Sequence, residues 1–65
     1  MMRIFLQKEQ KTVEREWNGA ARGLLRELGI NPEVVLIVKD GRLITLDDDI
    51  SDAKEIELLS VVSGG

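Results

Sequence analysis

Val34-Val35-Leu36-Ile37-Val38-Lys39-Asp40-Gly41-Arg42-Leu43-Ile44-Thr45 is the stretch on which the fold turns. Residues 34–38 form an unbroken run of β-branched side chains and leucine, which reads as a central strand with apolar neighbours on both faces. Asp40-Gly41 follows at once. Two residues of that type between 34–39 and 42–45 predict a tight hairpin, because both turn positions need positive φ.

Upstream, the apolar period is helical. Ala21, Leu24, Leu25 and Leu28 stand at i, i+3, i+4 and i+7 and share one face. Asn18 is the candidate cap at the start of this helix; Gly29 supplies a left-handed stop, and Asn31-Pro32 follows as a breaker. Gly23 inside the helix costs about 1 kcal/mol relative to alanine, a cost that points to close packing against a strand or to a weak first turn, of which close packing is the favoured reading. Further upstream, residues 2–7 are apolar and β-forming, Lys8-Glu9-Gln10 is polar, and 11–17 places Val13 and Trp17 on one parity with Glu14 and Glu16 on the other. This pattern predicts a first hairpin, with no turn type assigned because Asn-Gly and Asp-Gly are absent from the connector.

Downstream of Thr45, Asp47-Asp48-Asp49 and Ser51-Asp52 form an acidic connection around Ile50, and 55–62 reads as a last strand with Ile56 and Leu58 facing one way and Glu57 and Leu59 the other. The order is two strands, a helix, two strands, a connection and a strand. That is an α+β chain of the β-grasp, or ubiquitin-like, arrangement: a mixed four- to five-stranded sheet covered on one face by one helix. Residues 1–62 are expected to form a single domain, and 63–65 a flexible C-terminal tail.

Composition narrows the chemistry. Among 65 residues there is no cysteine and no histidine, which removes disulfides, activated thiols, the usual neutral-pH base and most transition-metal ligand sets. Ser51, Ser60 and Ser63 have no base to activate them, so no catalytic site of the chain's own is expected. The acidic connection lacks calcium-loop spacing and reads as a solvated turn, and no metal site is expected. The isolated glycines form no phosphate cradle, and Trp17 reads as packing at the edge of the core. A net charge of −3 argues against direct nucleic-acid binding, and no apolar run approaches a membrane span. A cytoplasmic protein, monomeric when free, is the expectation.

Gly64-Gly65 closes the sequence directly after a strand, and two terminal glycines arise by chance about once in 200 sequences. Two residues without Cβ can thread a narrow channel and let another enzyme approach the backbone. Using their carboxylate, however, requires activation by ATP, since a carboxylate is a poor electrophile and an acyl-adenylate carries a good leaving group. Gly65 is thus the candidate attachment residue, with Gly64 and Ser63 as the recognised tail.

Leu24-Leu25-Arg26-Glu27-Leu28-Gly29-Ile30-Asn31-Pro32, the apolar strand with its Asp40-Gly41 hairpin, and Glu55-Ile56-Glu57-Leu58-Leu59-Ser60-Val61-Val62-Ser63-Gly64-Gly65 together resemble the ubiquitin-like sulfur carriers of the ThiS and MoaD type, including the small archaeal modifiers related to them. The resemblance implies that Gly65 is adenylated by an E1-like enzyme, converted to a thiocarboxylate and used to donate sulfur to a synthase in thiamine, molybdopterin or tRNA thiolation. ATP and Mg²⁺ would belong to that enzyme, with no cofactor bound by this chain. Two departures are the glycine-rich Asn18-Gly19-Ala20-Ala21-Arg22-Gly23 and Asp40 where the thiamine branch frequently has Asn.

Strand parity adds a docking surface. If Ile4, Leu6, Val35, Ile37, Ile56 and Leu58 face the helix, then Phe5, Leu36, Val38, Leu59 and Val61 face away and form an apolar patch beside the tail. Arg42, Lys39 and Arg3 are candidate rim charges. Two alternatives stay open at this level: a protein modifier joined through Gly65 to lysine amines, and a plain β-grasp interaction module.

Overall fold

The computed structural model describes residues 2–61. Five strands, one helix and a short 3-10 turn run along the chain: β1 (Met2–Leu6), β2 (Lys11–Arg15), α1 (Ala21–Leu28), the turn Pro32–Val34, β3 (Val35–Lys39), β4 (Arg42–Ile44) and β5 (Glu55–Ser60). They form one five-stranded sheet in the order β2-β1-β5-β3-β4. β1 and β5 are parallel, and every other pairing is antiparallel. This is the mixed sheet with one helix of a β-grasp fold. Among the described residues no helix is long and apolar enough to cross a membrane.

Asp40 and Gly41 both take positive φ, 48° and 85°, so the hairpin forms with the register that a two-residue turn dictates: Lys39 opposite Arg42, Val38 opposite Leu43, Ile37 opposite Ile44. Asp40 also reaches β5, where its carboxylate accepts from the N–H groups of Lys54 and Glu55. Strand β3, however, is not the middle of the sheet; β5 is, flanked by β1 and β3. Nor is β3 covered on both faces. Ile37 is buried, while Leu36 is 46% exposed, because the one helix covers one face only.

The core is the inward parity of the strands with the apolar stripe of the helix: Ile4, Ile56 and Leu58 with Ala21, Leu24 and Leu25, joined by Ile50 from the acidic connection. Gly29 ends α1 in the left-handed conformation at φ 71°, and Ile30 N–H returns to the Leu25 carbonyl at 2.9 Å.

The helix start departs from expectation. Ala20, not Asn18, is the N-cap, and its side chain accepts nothing. The free N–H groups of the first turn are met from across the chain instead: Ala21 N–H donates to Asp48 O at 3.0 Å and Arg22 N–H to Leu46 O at 2.9 Å. The acidic connection is therefore a remote cap, held in place by Ile50 N–H donating to Gly19 O and Gly19 N–H to Ser51 Oγ.

Gly23 is closely packed, but against Trp17 and not a strand. Strand β2 ends at Arg15, two residues before Trp17, whose indole N–H donates to Ala20 O at 3.1 Å. A Cβ on Gly23 would lie 2.6 Å from Trp17 Cζ2. Gly23→Ala is therefore expected to lose stability by about 1–2 kcal/mol, overpacking outweighing the gain in helix propensity. In a Trp17→Leu background the same change is expected to stabilise by up to about 1 kcal/mol, as propensity alone then acts. Urea unfolding followed by circular dichroism checks this; the same sign in both backgrounds would refute it.

Candidate functional site

Ser63, Gly64 and Gly65 lie outside the described residues, as does Val62. What is described is the base from which they follow. Strand β5 ends at Ser60, whose N–H donates to Gln7 Oε1 at 2.8 Å, and Val61 N–H donates to Val34 O at 2.7 Å. A groove of about 210 Å³ runs beside this point between the β1–β2 turn and the 3-10 turn, lined by Gln7, Ile30, Val34, Val35, Leu58 and Ser60.

On the sheet face away from the helix, register brings the expected docking residues together. Leu36 stands opposite Leu59 and Val38 opposite Glu57, while Phe5 stands opposite Glu57 on the other side of β5. Leu36 is exposed, and Phe5, Val38 and Leu59 are half-buried. Val61, 41% exposed, follows directly after the strand.

The face differs from the inferred patch in three respects. Glu57 sits between Phe5 and Val38, so the face is not continuously apolar; its carboxylate end holds Glu55 and Glu57, and its apolar end, Leu36 with Leu59, lies towards the tail. Leu43, outside the patch that parity predicts, is the most exposed large hydrophobic residue among the described residues at 66%. The signal for it was present, since a two-residue turn at Asp40-Gly41 sets Leu43 against Val38. Finally, Lys39 and Arg42 are paired with each other on the helix side of the sheet, Lys39 sharing a register position with Ile56; of the three rim charges only Arg3 has the parity of Phe5.

The acidic connection is engaged within the chain. Asp47 accepts from Arg22 at 3.0 Å, Asp48 from Thr45 N–H at 2.8 Å, Asp49 from the Ser51 hydroxyl at 2.6 Å, and Asp52 from Lys39 at 2.7 Å. The Ser51 hydroxyl and N–H hold the Asp49 carboxyl below the usual carboxylate range. The Lys39 hydrogen bond does the same for Asp52, and Asp52 raises Lys39 in turn. These carboxylates anchor the remote cap of α1.

A model of the ThiS family matches residues 3–65. The chain belongs to that family. Among its relatives, the sulfur carrier protein TtuB of Thermus thermophilus is 43% identical over 65 residues, covering 98% of this chain and all of the relative. An uncharacterised protein of Archaeoglobus fulgidus is 42% identical over 62 residues, covering 94% of this chain and 91% of the relative. In this ThiS-family chain the matched region takes in all of the sheet but Met2, together with the remote helix cap and the terminal glycines.

Proposed function

We propose that this chain is a sulfur carrier whose working group is the carboxylate of Gly65. The observation that carries the reading is the family match running through to Gly65, and the likeness to a sulfur carrier over nearly the full chain supports it. The carboxylate attacks the α-phosphorus of ATP in an E1-like enzyme that supplies Mg²⁺; a C–O–P linkage forms and pyrophosphate leaves. A sulfur nucleophile at the oxidation level of hydrosulfide then attacks the acyl carbon, and AMP leaves with the bonding electron pair. The resulting thiocarboxylate donates its sulfur to a synthase of thiamine, molybdopterin or tRNA thiolation. This chain contributes the reacting group and the surface that presents it, and the catalytic residues are the partner's.

The test is ATP–pyrophosphate exchange by the host's E1-like enzyme with this chain as acceptor. Exchange that requires the chain is expected; its absence, with an enzyme active on another carrier, overturns the reading. In a chain isolated from its host, the mass is expected to rise by the difference between one sulfur and one oxygen atom.

The apolar end of the outer sheet face is the docking surface in this reading, with Leu36 exposed and Leu59 half-buried beside the point where the tail begins. Leu59→Asp is expected to raise KM for the chain in the exchange assay about tenfold or more, the loss of about 1.4 kcal/mol of association; Leu59 is half-buried on the middle strand, so the melting temperature is expected to fall as well, and exchange is compared at a temperature where circular dichroism shows the variant folded. Val38→Asp acts in the same direction and also sets two carboxylates face to face at Glu57. Unaltered exchange kinetics in both variants would remove this surface from the proposal.

A further inference from the structure

In a parallel ladder, one residue spans its neighbour by donating its N–H to the residue before the opposite position and accepting at its C=O from the residue after it. Strand β1 meets β5 in this way up to Leu6 opposite Leu58. At Gln7 the pattern is half kept. Gln7 N–H donates to Leu58 O at 3.2 Å, but Gln7 O accepts instead from Gln10 N–H at 3.1 Å, closing the turn into β2. The Ser60 N–H would then have no acceptor on this edge. Gln7 Oε1 takes the place of the lost carbonyl, at 2.8 Å.

We infer that Gln7 is a positioning residue for the carboxylate chemistry: its side-chain amide extends the β1 edge by one register step while the main chain turns away, and so fixes where the tail leaves the sheet. The opposite edge is held by Val61 N–H on Val34 O at 2.7 Å. With both edges in place, two consecutive N–H groups are pinned on opposite sides, and the extended path is defined up to Val61. With Gln7 removed, the chain beyond Leu58 is held from one side only. Held by one edge, the strand end at Ser60 and Val61 frays more readily, and in the frayed population more chain must be ordered in the partner's channel, each added residue carrying its own ordering cost.

This inference rests on the sulfur-carrier reading, and its experiment separates the two. Gln7→Met keeps the length and loses the acceptor; Gln7→Glu keeps an acceptor oxygen at the same reach. In Gln7→Met, hydrogen exchange at the Ser60 amide is expected to accelerate about 5- to 10-fold, the range of a single exposed hydrogen bond, while amides of α1 and the melting temperature stay as in the native chain. In the ATP–pyrophosphate assay KM for Gln7→Met is expected to rise about 3- to 10-fold with kcat nearly unchanged, because a bound tail is already ordered. Gln7→Glu is expected to restore both. An unchanged Ser60 amide in Gln7→Met overturns the inference, as does a faster amide with an unchanged KM, or a raised KM that Gln7→Glu fails to restore. If the native chain itself supports no exchange, the function reading falls, and the amide measurement still decides whether Gln7 holds Ser60.

Discussion

A chain shortened to end at Ser63 is expected to support no measurable ATP–pyrophosphate exchange with an enzyme that is active on the intact protein. Removing two residues draws the reacting carboxylate back by up to about 7 Å, whereas a displacement of about 1 Å already costs on the order of 100-fold in a positioned reaction. Among the described residues the last buried member of the core is Leu58, upstream of the deletion, so the melting temperature is expected to change little. Loss of exchange with retained stability assigns the defect to the terminal carboxylate. Exchange within about threefold of the intact chain would sink the sulfur-carrier reading and favour an interaction module, in which the glycines carry no chemistry.

Ile56→Ala is the substitution expected to damage the fold most for its size. Ile56 is fully buried on the middle strand, opposite Ile4 of β1 and Lys39 of β3. Truncating such a residue costs about 2–5 kcal/mol through lost transfer energy and the cavity left behind. A protein of this size holds roughly 3–10 kcal/mol in total, so the variant is expected to melt about 10–40 °C lower and to be partly unfolded near physiological temperature. Leu43→Ala is the control. Leu43 is 66% exposed, and its truncation is expected to stay within about 0.5 kcal/mol. Calorimetry decides the matter; a loss under about 1 kcal/mol for Ile56→Ala would mean that the sheet centre relaxes in a way the packing does not suggest.

Much of this architecture is local, and local chemistry is what a sequence states most directly. The Asp40-Gly41 turn, the left-handed Gly29 stop and the stripe at Ala21, Leu24, Leu25 and Leu28 each depend on residues within a turn or two of one another. All three stand in the structure as the residue pattern implies. Strand parity placed Ile4, Ile37, Ile56 and Leu58 in the core. The errors fall where two distant segments meet. Asn18 has the chemistry of a cap, yet the carbonyls of Leu46 and Asp48 occupy the position, because Ile50 must be buried and its burial brings the acidic connection against the helix start. Trp17 has the parity of a strand residue but leaves β2 to cover Gly23. Glu57 has the outward parity of Leu59 in the sequence pattern, but that it stands between Phe5 and Val38 depends on which strands lie beside β5.

The five strands and the helix, the register of the β3–β4 hairpin, the buried parity and the absence of histidine and cysteine that leaves Gly65 as the candidate reacting group are all legible in the residue pattern, whereas the 3-10 turn at Pro32–Val34 is not. The legible features follow from backbone sterics, side-chain period and composition, none of which needs a distant partner. Packing of the whole chain is what sets β5 between β1 and β3, puts Glu57 in the middle of the outer face, brings the acidic connection over the helix start and lets the Gln7 side chain stand in for a strand carbonyl at Ser60. Each of these joins residues far apart in the chain, and such pairings are selected by the burial of the whole core rather than by any segment's own preference.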